Sequence, residues 1–359
     1  MAGTVIARKY RLLDALDAGS MGAVYAAEKI GTGERVAVKM LLPEFHGAQD
    51  LVERFLAEAR ASQRLVHPNI VRVFDYGMND DNTPFIVMEL LIGVPVSAYL
   101  RDGQHIPLGH ATHIITGLLA GLGHAHHHSI IHRDLKPANV FLARGAQGKF
   151  EVKVLDFGIA KVMDIAGGMG SRTKTGIFLG TPAYMSPEQI VKPKTVDARS
   201  DLWSVGVMMY KMVTGKPPFG GVAEVDRLAS ILHDTPEPVE QIDPQLEPIK
   251  HFMVRALAKD PAQRFQSAGE MSAALGAAGA VARPFGGTTS RTNDTDPRAS
   301  QTVQRPEARP SARPSKKSSA PSKGEAPRSP VKTFFVAFIL ALLVASAGAF
   351  GYMHFVAHR

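Results

Sequence analysis

The sequence predicts an α+β fold in two lobes, a small strand-rich one followed by a larger helical one. Three observations predict it. The first 95 residues break into short β-branched runs separated by Gly-rich or Asn/Asp-rich turns. A single helical stretch, residues 51–65, interrupts them. After Pro107 the apolar pattern takes the helical period and keeps it to about residue 280.

Residues 10–16, 23–29 and 35–41 read as strands, with Gly31-Thr32-Gly33 as the turn between the last two. Residues 51–65 hold few turn formers and space their apolar side chains as a helix does. Residues 70–76 and 85–90 return to strand pattern around Asn79-Asp80-Asp81-Asn82. Helices are expected over 108–128, 198–214, 222–233, 248–258 and 267–278. The first of these ends in His124, His126, His127 and His128. Imidazoles there favour the helix macrodipole, and with no cysteine or further carboxylate nearby they read as a helix end rather than a metal site.

Composition narrows the function. The 359 residues suit roughly two domains, and 45% apolar content is that of a globular chain. There is no cysteine, which excludes disulfides, thiolate metal sites and thiol redox chemistry. Residues 1–10 lack the apolar core of a secretion signal. The net charge of +8 is not spread evenly. Residues 283–332 hold eleven Lys or Arg against four Asp or Glu, whereas the first 282 residues hold 29 of each. A neutral folded part argues against nucleic acid as a partner. A basic segment beside an apolar one points to anionic lipid.

That basic segment, 283–332, is rich in Pro, Ser, Arg and Lys and is expected to be a disordered juxtamembrane linker. No charge lies between Lys332 and Arg359. Residues 333–353 are expected to form a transmembrane helix, since twenty helical residues span about 30 Å. Lys316, Lys317, Lys323, Arg328 and Lys332 on its N-terminal side would keep the preceding domain cytoplasmic, at the inner membrane. Residues 354–359 would be a short extracytoplasmic tail, too short for a sensor domain. Ala337, Ala341, Ala345 and Ala349 recur every four residues and offer one helix face for a homodimer.

The chemistry sits in two runs. His132-Arg133-Asp134-Leu135-Lys136-Pro137-Ala138-Asn139 is followed after sixteen residues by Asp156-Phe157-Gly158. One loop thus holds a carboxylate, a cation and an amide, and the second run adds another carboxylate. Phosphoryl transfer asks for such positioning and charge. Upstream, Gly19 and Gly22 lie between the first two strands, shortly before Val36-Ala37-Val38-Lys39. Downstream come Ser186-Pro187-Glu188, the run from Asp201 to Gly206, and the run from Lys259 to Arg264.

Over about residues 8–280 these runs resemble the protein kinase family, and most closely the bacterial Hanks-type serine/threonine kinases of the receptor-like, membrane-anchored group. The resemblance implies a bilobal kinase fold that transfers phosphate from ATP, with magnesium or manganese, to Ser or Thr of protein substrates. It implies that Leu16, Gly19, Ser20, Met21, Gly22 and Val24 form the glycine-rich loop over the nucleotide. Lys39 would contact the α- and β-phosphates and pair with a helix glutamate. Arg54-Phe55-Leu56-Ala57-Glu58-Ala59 selects Glu58 for this, leaving Glu53 at the surface. Met88 would be the gatekeeper, with the backbone of Glu89 and Leu91 on the adenine edge and Val24, Ala37 and Phe141 around the ring. Asp134 would be the base and Lys136 the γ-phosphate ligand, with Asn139 and Asp156 holding metal. Arg133 would bind a phosphate on the activation segment, where Thr173 and Thr175 are the expected autophosphorylation sites. Thr181 would shape the acceptor pocket and Arg264 would pair with Glu188. Asp17 departs from the pattern by replacing its first glycine. It is the one feature favouring the alternative, a catalytically silent ATP-binding scaffold. A small-molecule phosphotransferase, the other alternative, fits the run from Thr181 to Glu188 less well.

Overall fold

The computed structural model describes residues 3–19, 22–101, 103–145, 149–157 and 182–281. Ser20, Met21, Gly158, Thr173, Thr175, Thr181, the linker 283–332, the expected span 333–353 and the tail 354–359 lie outside the described residues. No helix among the described residues is long and apolar enough to cross a membrane.

The small lobe is one antiparallel six-stranded sheet. Its strands are β1 Val5–Ile6, β2 Tyr10–Ala18, β3 Gly22–Lys29, β4 Arg35–Leu41, β5 Val73–Met78 and β6 Pro84–Glu89, in the order β1-β2-β3-β4-β6-β5. Side chains alternate across the sheet as strand geometry demands. Val36, Val38, Met40, Phe85 and Val87 join Ile6, Tyr10, Leu12 and Ala27 in a core on one face. Ala37, Leu41, Ile86 and Met88 face the other way, against Val52, Phe55 and Ala59 of helix α1 (Gln49–Gln63). Lys39 shares parity with Ala37 and Leu41, so the strand delivers its ammonium to the helix side of the sheet.

The expected strand over 70–76 begins at Val73 instead. Residues 69–71 bond elsewhere: Val71 N–H donates to Val154 O at 2.9 Å and Val154 N–H to Asn69 O at 2.8 Å. They stitch the small lobe to a second sheet, made of β7 Gly93–Pro95, β8 Val140–Arg144 and β9 Phe150–Val154. These three short strands are not legible in the sequence. Runs of three to five residues carry too few alternations to register.

The large lobe is helical: α2 Leu108–His127, α3 Pro187–Val191, α4 Ala198–Thr214, α5 Glu224–His233, α6 Val239–Ile242, α7 Lys250–Ala256 and α8 Ala268–Val281. Its core includes Ile115, Leu118 and Leu119 of α2 and Trp203 and Met208 of α4. Helix α2 lies close enough to β9 that only glycine fits at Gly117, where a Cβ would stand 2.8 Å from the Val152 side chain. The helix expected over 248–258 is split. A 3-10 segment, Pro244–Ile249, leads into α7 because Pro248 has no N–H to give an α-helical bond.

Candidate active site

Three ionisable groups meet at the boundary of the lobes. Lys39 Nζ lies 2.9 Å from Asp156 Oδ2 and 3.9 Å from Glu58 Oε1. Glu58 reaches it from α1, one residue before the buried Ala59. Glu53, a turn earlier, is exposed and accepts from Gln49. The expected lysine–glutamate pairing is therefore within reach, but Asp156 is the nearer partner. Burial works to lower the Lys39 pKa and is outweighed by Asp156 and Glu58, so it stands above its ordinary value. The Asp156 carboxyl stands below its own value: burial opposes this, and the Lys39 charge and hydrogen bond overcome it. Glu58 is pushed up to about 8, chiefly by burial, with Lys39 opposing and Asp156 and Asp134 adding to the rise. Lys39 is thus claimed by Asp156, and burial favours the protonated form of Glu58.

The catalytic-loop residues cluster beside these groups. Lys136 Nζ donates to Asp134 Oδ2 at 2.9 Å. Asn139 Nδ2 donates to the Asp134 carbonyl at 2.8 Å, which fixes the amide and leaves its Oδ1 facing away. Leu155 N–H donates to Asn139 O at 2.9 Å, tying the loop to the strand that ends at Asp156. Two backbones are held where non-glycine residues rarely go, Arg133 at φ +63° and Asp156 at φ +39°.

What holds the loop is Asp201, almost fully buried in α4. Its carboxylate accepts N–H bonds from His132 and Arg133, both at 2.9 Å, and pairs with His126 Nε2 at 2.8 Å. Burial works to raise the Asp201 pKa, but the bonds and charge from His126 and His132 bring it below the ordinary carboxylate range. Gln189 Nε2 donates to Arg133 O at 2.8 Å from the other side. The Arg133 guanidinium forms no ion pair among the described residues, and burial pushes its pKa down. The roles of Asp201 and Gln189 were missed in the sequence. The available signal for Asp201 was a carboxylate placed directly before the mostly apolar run 202–209.

Above this floor, Val24, Ala37, Met88, Leu91 and Leu155 belong to one apolar cluster with α1. Leu16, near the end of β2, is half-exposed. Gly19 N–H donates to Gly22 O at 2.9 Å and closes the turn. Gly22 is required here, since a Cβ would lie 2.7 Å from Met40 O. The N–H of Glu89 is taken by Arg72 O, while Leu91 bonds no described backbone group. Phe141 lies on β8, directly across from Lys153 of β9. Of the residues expected to surround the nucleotide, Val24, Ala37, Met88 and Leu91 thus share one apolar cluster, while Leu16, Gly19, Gly22 and Phe141 are placed only by their strands and turns.

The pairing expected of Arg264 and Glu188 is present. Arg264 is fully buried and grips both Glu188 oxygens at 2.7 Å, while Ser200 Oγ donates to Glu188 at 2.5 Å. The histidines at the end of α2 pack against one another and against His67 with tilted rings, His67–His124 centroids 5.2 Å apart and His124–His128 4.5 Å apart. Burial lowers the pKa of both His67 and His124, with neighbouring imidazoles adding to it.

Comparison with known proteins agrees with this geometry. Residues 10–274 match the protein kinase domain. The chain is 38% identical over 284 residues to the serine/threonine-protein kinase pkn2 of Myxococcus xanthus, covering 78% of this chain and 34% of that protein. It is 36% identical over 305 residues to the serine/threonine-protein kinase PknA of Mycobacterium tuberculosis, covering 84% and 65%. The chain thus spans about a third of the first relative and under two thirds of the second. Among solved structures, the Mycobacterium tuberculosis PknI kinase domain superposes with a TM-score of 0.59 at 26% identity, over 77% of this chain and 98% of that one. With a β-rich lobe, a helical lobe and the kinase motifs brought into the cleft between them, the chain belongs to the protein kinase family.

Proposed function

We propose that this chain is an ATP-dependent serine/threonine protein kinase that autophosphorylates and is anchored in a membrane with its kinase domain cytoplasmic. The observation that carries the catalytic reading is the unbroken set of contacts from Glu58 through Lys39 to Asp156, and from Asn139 through Asp134 to Lys136. These six residues are the ones to which the resemblance assigns the chemistry.

The donor set suits magnesium. Asn139 presents Oδ1 because its Nδ2 is bonded to Asp134 O, and Asp156 keeps a second carboxylate oxygen beyond the one facing Lys39. Magnesium bound there would offset charge on the phosphate oxygens. Lys39 holds the α- and β-phosphates. Asp134 orients the acceptor hydroxyl and takes its proton as the new bond forms between the hydroxyl oxygen and the γ-phosphorus. The bond from the γ-phosphorus to the bridging oxygen breaks, and ADP leaves with that oxygen. Lys136, already 2.9 Å from Asp134, offsets charge on the transferred group.

The Arg133 guanidinium, which forms no ion pair among the described residues, supports phosphate binding from an activation segment modified at Thr173 and Thr175. Mass spectrometry of active protein should find phosphate on both threonines, and an unmodified but fully active sample would end that part. The anchor rests on the charge-free block 333–353 and the basic residues before it. Cell fractionation should place the protein in the membrane, and deleting 333–353 should release it. For the chemistry, Asp134→Ala or Lys39→Met should cut transfer of labelled phosphate to a generic protein acceptor by about a hundredfold or more. Transfer that survives both changes removes this function.

A further inference from the structure

We infer that Lys153 is a positioning residue for the nucleotide, setting the hinge backbone that reads the adenine edge. The inference rests on the reading of the cleft as an ATP site.

Lys153 is the middle of three residues on β9 whose faces alternate. Val152 and Val154 turn toward α2, against Gly117 and Gly121. Lys153 therefore turns to the opposite face, toward the cleft. Its cross-strand neighbour on that face is Phe141, the expected floor of the adenine pocket. Its ammonium donates to both oxygens of the Glu89 carboxylate, each at 3.0 Å. A lysine only 9% exposed needs such a partner, and Glu89 is the one it has among the described residues.

Glu89 is held from three sides. Lys153 takes its carboxylate, the Arg72 N–H donates to Oε1 at 2.8 Å, and the Glu89 N–H donates to Arg72 O at 2.9 Å. Its carbonyl is the group that the kinase resemblance sets against the adenine edge. An adenine edge offers an amino group there, whereas guanine would present a carbonyl oxygen and be repelled. The position of that carbonyl thus decides how well adenine binds and how strongly guanine is refused. Lys153 comes from the large lobe and Glu89 ends the small-lobe strand β6, so the pair also fixes one lobe's wall against the other's.

Without the ammonium, the Glu89 carboxylate would be left partly buried without its counter-charge and would turn toward water, dragging the hinge with it. The test uses the full chain in detergent, with ATP and GTP as magnesium complexes. Lys153→Met should raise KM for ATP by about tenfold while kcat stays within about threefold, since the residue touches no reacting atom. The ratio of kcat/KM for ATP over GTP should fall, and Lys153→Arg should restore most of it. Glu89→Gln should move both quantities the same way, and the double variant should be no worse than Lys153→Met, because both changes break one pair. A Lys153→Met protein with parental KM and parental nucleotide preference overturns the inference. Should that variant not fold, parental values in Glu89→Gln overturn it equally. Absence of transfer by the parent protein would instead sink the kinase reading. ATP titration calorimetry on parent and Lys153→Met would then still decide the inference: equal affinities refute it.

Discussion

Two ion-pair clusters in this molecule look alike on paper and behave as opposites. At Arg264–Glu188 the cation is fully buried, grips its partner through two bonds, and spends its remaining donors on the carbonyls of Ala258, Lys259 and Arg199. At Lys39 the cation faces two carboxylates at unequal distances, and the nearer one, Asp156, is 43% exposed. The first cluster is saturated and has one arrangement. The second has spare valence and a competing partner, so it can exchange partners when a phosphate arrives. A strut and a site differ less in their residue types than in how completely their hydrogen bonds are filled.

The sharpest way to break this comparison is to remove one cation from each cluster. Arg264→Met leaves the Glu188 carboxylate, held below its ordinary pKa by Arg264 against the pull of burial, without its partner. Chemical denaturation should show a loss of about 3–5 kcal/mol. Lys39→Met removes a cation whose partners can turn to water or stay protonated, and should cost stability under about 1 kcal/mol while abolishing transfer. Equal losses at the two places would mean that the Lys39 cluster is a strut as well.

A smaller effect separates the two carboxylates of the site. Glu58 has its folded pKa raised from 4.5 to about 8. A raised acid binds its proton more tightly when folded. Its contribution to stability is full below about pH 4.5 and is lost as pH rises toward 8. Glu58→Gln mimics the protonated form and should be insensitive in that window. Thermal melts at pH 5 and pH 8 should show the variant gaining on the parent by on the order of 3 kcal/mol across the range. No gain would mean that Glu58 is ionised and paired with Lys39 throughout.

The reacting groups are legible in the sequence because they lie in unbroken runs where each residue type has one chemical use: Asp134, Lys136 and Asn139 on one loop, Asp156 soon after. The large helices are legible because their apolar period repeats over ten residues or more, as in α2 and α4. What escaped is long-range. Asp201 clamps a loop nearly seventy residues away, and Lys153 meets Glu89 across sixty-four. Neither partnership leaves a local pattern, since each is made by two chain segments meeting only in the fold. The short strands β7 to β9 escaped for the same reason, because their pairing is set by the fold rather than by their own alternation.

The finest comparison is between Asp17 and the glycine the family pattern has in its place. Asp17 lies within β2, paired with Val24 after an irregularity in register, and its carboxylate accepts the N–H of Ala18 at 2.9 Å. The hairpin tolerates it: Gly19 and Gly22 still close the turn. The cost of the substitution is therefore electrostatic rather than conformational, an exposed negative charge close to where a triphosphate would lie. Asp17→Gly should lower KM for ATP by about two- to threefold with kcat unaltered, and the difference should shrink as salt screens the exposed carboxylate. The same change should lower stability slightly, by about 0.5–1 kcal/mol, because glycine loses more freedom in a strand. A hundredfold or larger rise in transfer would say otherwise. It would make Asp17 the residue that silences the site and the parent chain an ATP-binding scaffold.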